Sequence, residues 1–318
     1  MKRFALSLLL FTAIGCACAQ TYPAKPVRIV VPFAPGGGAD IIARVLAQKM
    51  SETWRNQFVV DNRPGASGNI GTEQVAKSPP DGYTLMITSS ALVINPSVFK
   101  SVPYDALRDF APITQPGLLP NILVVHPSVP VKTVKQLAAL AKSKPEQLSY
   151  ASAGAGTGTH LAAEMFKLMA GIDMVHVPYK GGGALISDLL GGQVAVTFAT
   201  LPSVMPYVKA GRLNALAMTT LRRWPGLPQV PTMVEAGYPG FEMSTWIGLL
   251  APANTPKDVV GKLRDEVVRI LALPDVRARF FDLGIEPVGD TPEQFAQYMK
   301  TELAKYATVA KQSGARAD

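Results

Sequence analysis

Short apolar runs alternate with amphipathic segments along most of this chain. Mainly apolar runs at residues 27–31, 58–60 and 84–88 are of the length expected for buried strands. Segments with helical spacing follow the first two runs, at about residues 40–54 and around residues 72–77. The alternation of strands and helices predicts an α/β fold with mostly parallel sheets.

The same alternation continues through the middle of the chain. A strong strand is expected at residues 122–125, followed by a helix at residues 131–144, where Val134, Leu137, Ala138 and Ala141 recur at intervals of three and four. Further strands are expected near residues 148–152, 175–177, 194–198, 213–218 and 242–251. Further helices are expected near residues 161–170, 184–190, 204–209, 257–272 and 291–313. The sequence contains no visible repeat.

Two turns between a strand and a helix are rich in glycine. The first contains Gly36, Gly37 and Gly38, and the second covers residues 153–160. Unpaired backbone N–H groups and the positive end of the helix dipole favour an anion at such a turn. The alternative is that glycine serves only the backbone angles of a tight turn. Two such turns at the carboxyl ends of strands favour the anion hypothesis.

The spacing of the two turns predicts two lobes that face each other across a cleft. We expect the chain to pass between the lobes near residues 119–123 and again near residues 243–248. Residues 20–121 and 244–318 would form the first lobe, and residues 122–243 the second. Trp246, in the second crossing, is expected to pack at the hinge.

The N-terminus has the features of a cleaved signal peptide. Lys2 and Arg3 precede an apolar stretch at residues 4–14, and Ala17-Cys18-Ala19 offers a cleavage site before Gln20. Residues 1–19 are therefore predicted to be removed on export. Lipoprotein anchoring at Cys16 is disfavoured, because Ala13 is a poor residue three positions before such a cysteine.

Composition excludes several classes of function. Both cysteines, Cys16 and Cys18, lie in the leader, so the mature chain is expected to lack disulfides and thiol chemistry. The formal charge of +8 comes from scattered Lys and Arg residues without interleaved aromatics, which argues against a nucleic-acid partner. The three histidines lack the spacing of metal ligands, so no metal is expected. No cofactor is expected either, because Gly36-Gly37-Gly38 is not the spaced glycine pattern of a dinucleotide site and export removes the cofactor pool.

Five ordered motifs resemble one family. They are residues 32–40 (PFAPGGGAD), 62–71 (NRPGASGNIG), 80–85 (PDGYTL), 176–181 (HVPYKG) and 210–213 (AGRL). In this order they are similar to the Bug-type family, the extracytoplasmic solute receptors of tripartite tricarboxylate transporters. The resemblance implies a two-lobed periplasmic binding protein of type II-like architecture, with a ligand cleft between the lobes. It also implies a monomer that binds a small di- or tricarboxylate or aromatic acid and delivers it to membrane transporter subunits.

The family's ligand contacts can be carried over to matching positions. In that family, backbone amides and bridging waters from the two glycine-rich loops hold the carboxylate. The implied first-lobe contacts are Phe33, Ala34, Gly37, Gly38, Ala39 and Asp40. The implied second-lobe contacts are Ser152, Ala153, Gly154, Thr157, Gly158, Thr159 and His160, with Tyr179 nearby.

Two departures from the family pattern bear on the ligand. Ala199-Thr200 stands where many members have an acidic residue followed by asparagine, which favours a ligand without a positive charge. Ala39 replaces a frequent threonine and so removes one hydroxyl donor. Ser67 stands where glycine is common, which we attribute to structure.

Several of these side chains have a structural alternative. Asp40 is expected to cap its helix, since contact with a ligand carboxylate would be repulsive. His160 could donate to the ligand or form a hydrogen bond across the lobe. Tyr179 could close over the ligand or pack in a turn. Ser89 ends a strand at the cleft, so its hydroxyl is a candidate contact.

Other classes of function compete with transport. The same closed state could be presented to a sensor kinase of a two-component system. An enzyme is not expected, because the serines have no nucleophile-elbow context and no paired carboxylates stand out.

Overall fold

The computed structural model describes residues 22–144 and 148–316. The predicted leader at residues 1–19, with Cys16 and Cys18, lies outside the described residues. Its cleavage stays a prediction.

Strands and helices alternate through the described residues, as the hydrophobic pattern predicts. The strands are β1 (Val27–Val31), β2 (Phe58–Asn62), β3 (Thr84–Ser89), β4 (Phe110–Val125), β5 (Ser149–Ser152), β6 (Val175–Pro178), β7 (Val196–Thr200), β8 (Asn214–Met218), β9 (Ser244–Pro252) and β10 (Glu286–Pro287). The helices are α1 (Gly38–Trp54), α2 (Asn69–Ala76), α3 (Ala91–Val98), α4 (Val134–Ser143), α5 (Gly158–Ala170), α6 (Gly182–Leu190), α7 (Leu201–Lys209), α8 (Lys257–Leu271), α9 (Pro274–Leu283) and α10 (Pro292–Ser313). A short 3₁₀ turn, Ala66–Gly68, precedes α2.

The strands form one mixed sheet in the order β2-β1-β3-β9-β4-β7-β5-β6, and β10 and β8 also pair with β4. β1 is parallel to β2 and β3, and β5 is parallel to β6 and β7. These parallel groups confirm the predicted α/β class. The antiparallel pairs all involve β4 or β9.

β4 and β9 join the two halves of the sheet. The first part of β4 pairs with β9 and β10, and its last residues, from Asn121 to Val125, pair with β7 and β8. We call the half that holds β1–β3 and β10 lobe 1, and the half that holds β5–β8 lobe 2. The predicted crossings fall on β4 and at the start of β9. That these crossings act as hinges between residues 20–121 with 244–318 and residues 122–243 stays a prediction.

Alternate residues of the central strands enter cores on opposite faces of the sheet. In β1, Val30 joins one cluster while Ile29 and Val31 join another. In β4, Leu123 and Val125 belong to the same cluster as Val30, whereas neighbouring Ile122 and Val124 belong to a third. Strands that are buried on both faces read as continuous apolar runs, which is why the sequence reveals them clearly.

The cluster that contains Val30 is continuous across both lobes, and α10 closes it. α10 packs against α3 and β4 of lobe 1 and also touches α5 of lobe 2. Trp246 is fully buried there and meets the ring of Phe295 edge to face, with ring centroids 5.4 Å apart. Packing accounts for Trp246, which agrees with its predicted place at the crossing.

The helices α3 and α9 and most of β4 were not predicted from the sequence. α3 is apolar on almost every side and contains Pro96, so it has no amphipathic period to detect. No helix was predicted at α9, which lies between the helices predicted at residues 257–272 and 291–313. The helices α2, α5 and α6 also begin earlier than predicted, because glycine or asparagine occupies their first turns.

Candidate functional site

The first glycine-rich turn leads directly into α1. Gly37 is the N-cap of this helix, and no side chain caps it. The first intrahelical bond runs from Ile41 N–H to the Gly37 carbonyl. Helix geometry therefore leaves the N–H groups of Gly38, Ala39 and Asp40 without intrahelical partners. These donors are suited to an anion.

The second turn leads into α5 and is braced by its own hydroxyl groups. The Thr157 hydroxyl donates to the Gly154 carbonyl at 2.6 Å and accepts from the His160 N–H. The Thr159 hydroxyl accepts from the Ala153 N–H at 3.1 Å. Gly158, the first residue of α5, thus presents its backbone on a rigid turn.

A third turn, at residues 181–183, starts α6 and touches the first. The Ala34 N–H donates to the Lys180 carbonyl at 3.0 Å. A Cβ atom on Gly183 would collide with the Pro35 carbonyl oxygen, so glycine is required by this close approach. α6 begins after Gly181 without a side-chain cap. Three helix N-termini, from both lobes, therefore converge on one place.

The cavity at this place lies between the two lobes. Nine of the fifteen predicted ligand contacts line it: Phe33, Gly37, Gly38, Ala39, Ser89, Ala153, Thr157, Gly158 and Thr159. The remaining lining residues are Leu119, Gly182, Leu185, Ile186, Phe198, Ala199, Thr200, Ser203, Thr245 and Ile247.

Asp40 lies outside the lining, and its carboxylate serves the first turn. It accepts hydrogen bonds from the Gly36 N–H, the Arg44 Nε and the Asn62 Nδ2, at 2.9 to 3.0 Å. Burial disfavours the charged form, but these hydrogen bonds outweigh it and lower the pKa of Asp40. The Asp40 carboxylate thus closes the first turn, because it accepts a hydrogen bond from the N–H of Gly36, which lies two residues before α1 begins.

The other predicted contacts outside the lining are Ala34, Ser152, Gly154, His160 and Tyr179. Ala34 contributes its N–H to the contact with Lys180 described above. The Tyr179 hydroxyl donates to Asp188 at 2.7 Å, and burial followed by this carboxylate raises the pKa of Tyr179 to about 12. The Ser152 hydroxyl accepts from the Gly154 N–H at 3.1 Å. These residues shape the second and third turns.

Two histidines stack beneath the second turn. The rings of His160 and His176 are 4.2 Å apart, and Tyr150 stacks on the other face of His176. The Gly156 N–H donates to Nδ1 of His160 at 3.1 Å, which requires the proton of the neutral ring to be on Nε2. Burial and then Lys167 lower the pKa of His160 to about 4. Burial and then His160 lower the pKa of His176 to about 3.

The apolar part of the lining is not evident from the sequence. Leu119, Leu185, Ile186, Phe198 and Ile247 follow the pattern of core residues, and they are in fact buried. No periodic signal separates a core position from a cavity wall. The sequence did mark one part of the lining. Ala199-Thr200 departs from the acidic residue and asparagine of many family members, and both residues line the cavity.

Two negative findings concern the described residues. Within residues 22–144 and 148–316, none of the helices has both the length and the apolar character needed to span a bilayer. The same residues bring together no cluster of three or more His, Cys, Asp or Glu side chains that could hold a metal ion.

Comparison with known proteins identifies the family. Residues 42–315 match the family described as the tripartite tricarboxylate transporter family receptor, TctC. The chain belongs to the TctC receptor family. This confirms the resemblance drawn from the five motifs, and it makes solute binding, within a transport system, the family's role.

Relatives and solved structures agree with this membership. The chain is 42% identical over 288 residues to the UPF0065 protein in the tcbD-tcbE intergenic region of Pseudomonas sp. (strain P51), covering 90% of this chain and 86% of that one. It is 38% identical over 300 residues to protein BugT of Bordetella pertussis, covering 94% and 92%. The structure of R. palustris Rpa4515 with adipate has a TM-score of 0.90 at 38% identity, covering 93% and 99%. MatC from Rhodopseudomonas palustris with bound malate has a TM-score of 0.85 at 31% identity, covering 91% and 99%.

Proposed function

We propose that this TctC-family chain is a periplasmic solute receptor that binds a small organic carboxylate between its two lobes. The observation that carries the proposal is the convergence of α1, α5 and α6, whose N-termini come from both lobes. Oriented amides at helix N-termini bind an anion without a cationic side chain. The binding of adipate and malate by structural relatives supports a carboxylate as the anion.

The proposed contacts are the backbone amides of the two turns. Gly37, Gly38 and Ala39 would hold the ligand from lobe 1, and Gly158 and Thr159 from lobe 2. The hydroxyl of Ser89 already accepts from the Ala91 N–H at 3.3 Å, which leaves its own hydrogen free to donate to a carboxylate. Asp40, Ser152, Gly154, His160 and Tyr179 would act by shaping these turns.

Delivery follows from closure of the lobes around the ligand. We propose that the closed form of a monomer docks on the membrane subunits of a tripartite tricarboxylate-type transporter, which then receive the carboxylate. The family's receptor role supports this assignment over a catalytic one. Export through cleavage of residues 1–19 is part of the same proposal.

Calorimetry tests the binding step. The mature protein is titrated with di-, tri- and monocarboxylates and, as a matched control, with the neutral amide of each acid that binds. We expect micromolar binding of at least one acid and loss of binding for its amide, because the amide carries no charge for the helix ends. Equal binding of acid and amide, or chemical turnover of a bound acid followed by NMR, would contradict the proposal.

Uptake tests the transport step. Cells that lack the chromosomal copy of the receptor are given the native chain or the Gly38→Val variant, and uptake of the labelled acid is measured. We expect the native chain alone to restore uptake. Normal uptake without any receptor would argue for a signalling role.

A further inference from the structure

Much of the cavity lining outside the glycine turns is apolar, and we call this part the wall. It contains Leu185 and Ile186 from α6, Phe198 from β7, Leu119 from β4 and Ile247 from β9. Each of these side chains is at most 5% exposed, and each belongs to a strand or helix in the packed core. The wall is therefore rigid and cannot easily offer a polar group to a ligand.

The threonine hydroxyls of the lining are already engaged. Thr157 and Thr159 brace the second turn. Thr245 donates to the side-chain oxygen of Asn121 at 3.1 Å, and Thr200 pairs with Ser203 at 2.8 Å. These bonds use most of the threonine hydroxyl hydrogens, so the donors that remain for a ligand are the backbone N–H groups of the turns and the Ser89 hydroxyl, and the acceptors that remain are neutral hydroxyl oxygens. Such a site suits the oxygens of an anion and offers little to a cation.

Among residues 22–144 and 148–316, no acidic side chain lines the cavity. Asp40, in the first turn of α1, binds Arg44 and Asn62, and Asp188, on α6, accepts from Tyr179. An ammonium group that entered the cavity would lose its water and gain no counter-charge. Burial of an unpaired charge is strongly unfavourable.

These observations narrow the class of ligand, and the inference drawn from them rests on the proposed function. We infer that the ligand is a carboxylate whose body is an uncharged hydrocarbon, with no amino group. The helix ends hold the carboxylate, and the wall of leucine, isoleucine and phenylalanine holds the body. Amino acids are rejected because their ammonium group would meet neutral hydroxyl oxygens and hydrocarbon but no carboxylate that could balance its charge.

Matched pairs of ligands test this inference by calorimetry. Hexanoate is compared with norleucine, and adipate with 2-aminoadipate, so that each pair differs only by an amino group. We expect the amino member of the pair to bind about 100-fold more weakly or not at all. An amino member that binds as tightly as its partner would overturn the ligand class and leave carboxylate binding intact. Absence of binding by both pairs and by the wider carboxylate panel would instead overturn the proposed function.

A pair of variants at Ile247 tests the hydrocarbon wall separately. Ile247→Thr and Ile247→Val have side chains of similar size, but only the first places a hydroxyl in the wall. For the tighter-binding hydrocarbon acid, we expect the threonine variant to bind about 10-fold more weakly than the valine variant. The valine variant controls for lost volume, and thermal unfolding confirms that both are folded. Equal or tighter binding by the threonine variant would show that the ligand's polar part faces this wall.

Discussion

The backbone N–H of Ala34 donates a hydrogen bond to the carbonyl oxygen of Lys180, with 3.0 Å between nitrogen and oxygen. Ala34 precedes α1 in lobe 1, and Lys180 precedes α6 in lobe 2. Next to this bond, Gly37 and Gly182 are neighbours, since a Cβ on Gly37 would lie in ordinary van der Waals contact with the Gly182 nitrogen, at 3.6 Å. The described conformation is thus one in which the two lobes are in contact at the cavity.

Gly183→Ala should weaken ligand binding by preventing this contact. The added methyl group would collide with the Pro35 carbonyl oxygen only when the lobes meet. We expect affinity to fall at least about 10-fold, while the free energy of unfolding stays within about 1 kcal/mol of the native value. Calorimetry and denaturant unfolding provide the two measurements.

Gly191→Ala is the matched control at the other end of α6. A Cβ there makes only ordinary contacts, at 3.5 Å or more. Equal affinity of the two variants would mean that contact between Pro35 and Gly183 is unnecessary for binding.

Gly38→Val should abolish binding without unfolding the protein. The new side chain would strike Leu119 and lie 3.3 Å or less from the Thr200 hydroxyl, so it would fill the place in front of the α1 amides. Gly261→Val, in the middle of α8, meets nothing within 4 Å and reports the intrinsic effect of valine in a helix. Binding by Gly38→Val at native affinity, measured by calorimetry, would refute the anion site at α1.

Asp40→Asn should cost stability, because Asp40 holds the first turn together. The variant loses the charge-assisted bonds to Arg44 and the Gly36 N–H, worth about 1–3 kcal/mol in unfolding free energy. The difference should be present above pH 3.8, the ordinary pKa, and disappear as the pH falls through the lowered pKa of the folded state. Urea unfolding of both proteins at neutral and acidic pH measures it. If Asp40 instead faced the ligand, the variant would bind a carboxylate more tightly.

The stacked histidines should make the protein less stable in mild acid. The lowered pKa values mean that the unfolded chain takes up protons below pH 6.5, whereas folded His160 does so only near pH 4. Stability is therefore full above pH 6.5 and falls as the pH drops towards 4. Lys167 and Glu164, which lie beside the stack, act on His176 in opposite directions.

His160→Asn removes this titration while its Oδ1 can still accept from the Gly156 N–H. Between pH 7 and pH 5 we expect the unfolding free energy of the native protein to fall more than that of the variant, by on the order of 1–2 kcal/mol. Thermal or urea unfolding across this range provides the comparison. Parallel curves for the two proteins would show that His160 is accessible to protons in the folded state.

The sequence predicted most elements because burial leaves a local trace. β1 was predicted at its observed bounds, since four of its five residues, Val27 and Ile29–Val31, are apolar and a proline follows it. The two glycine turns were predicted because three consecutive glycines, and the glycine-rich run from Ala153 to His160, are unusual in composition. The length of β4 was not found, because Pro112, Pro116 and Pro120 interrupt a strand that bends through register shifts.

The sequence by itself determined the α/β class, the receptor family and the two turns that present unpaired amides. These features depend on local composition and periodicity, which neighbouring residues in the sequence define. Only the tertiary structure decided that the third turn meets the first, that Asp40 and His160 serve the turns, and that Leu185, Phe198 and Ile247 wall the cavity. A buried apolar side chain has the same pattern in a core and in a cavity wall, and only the packing of distant segments leaves a space beside it.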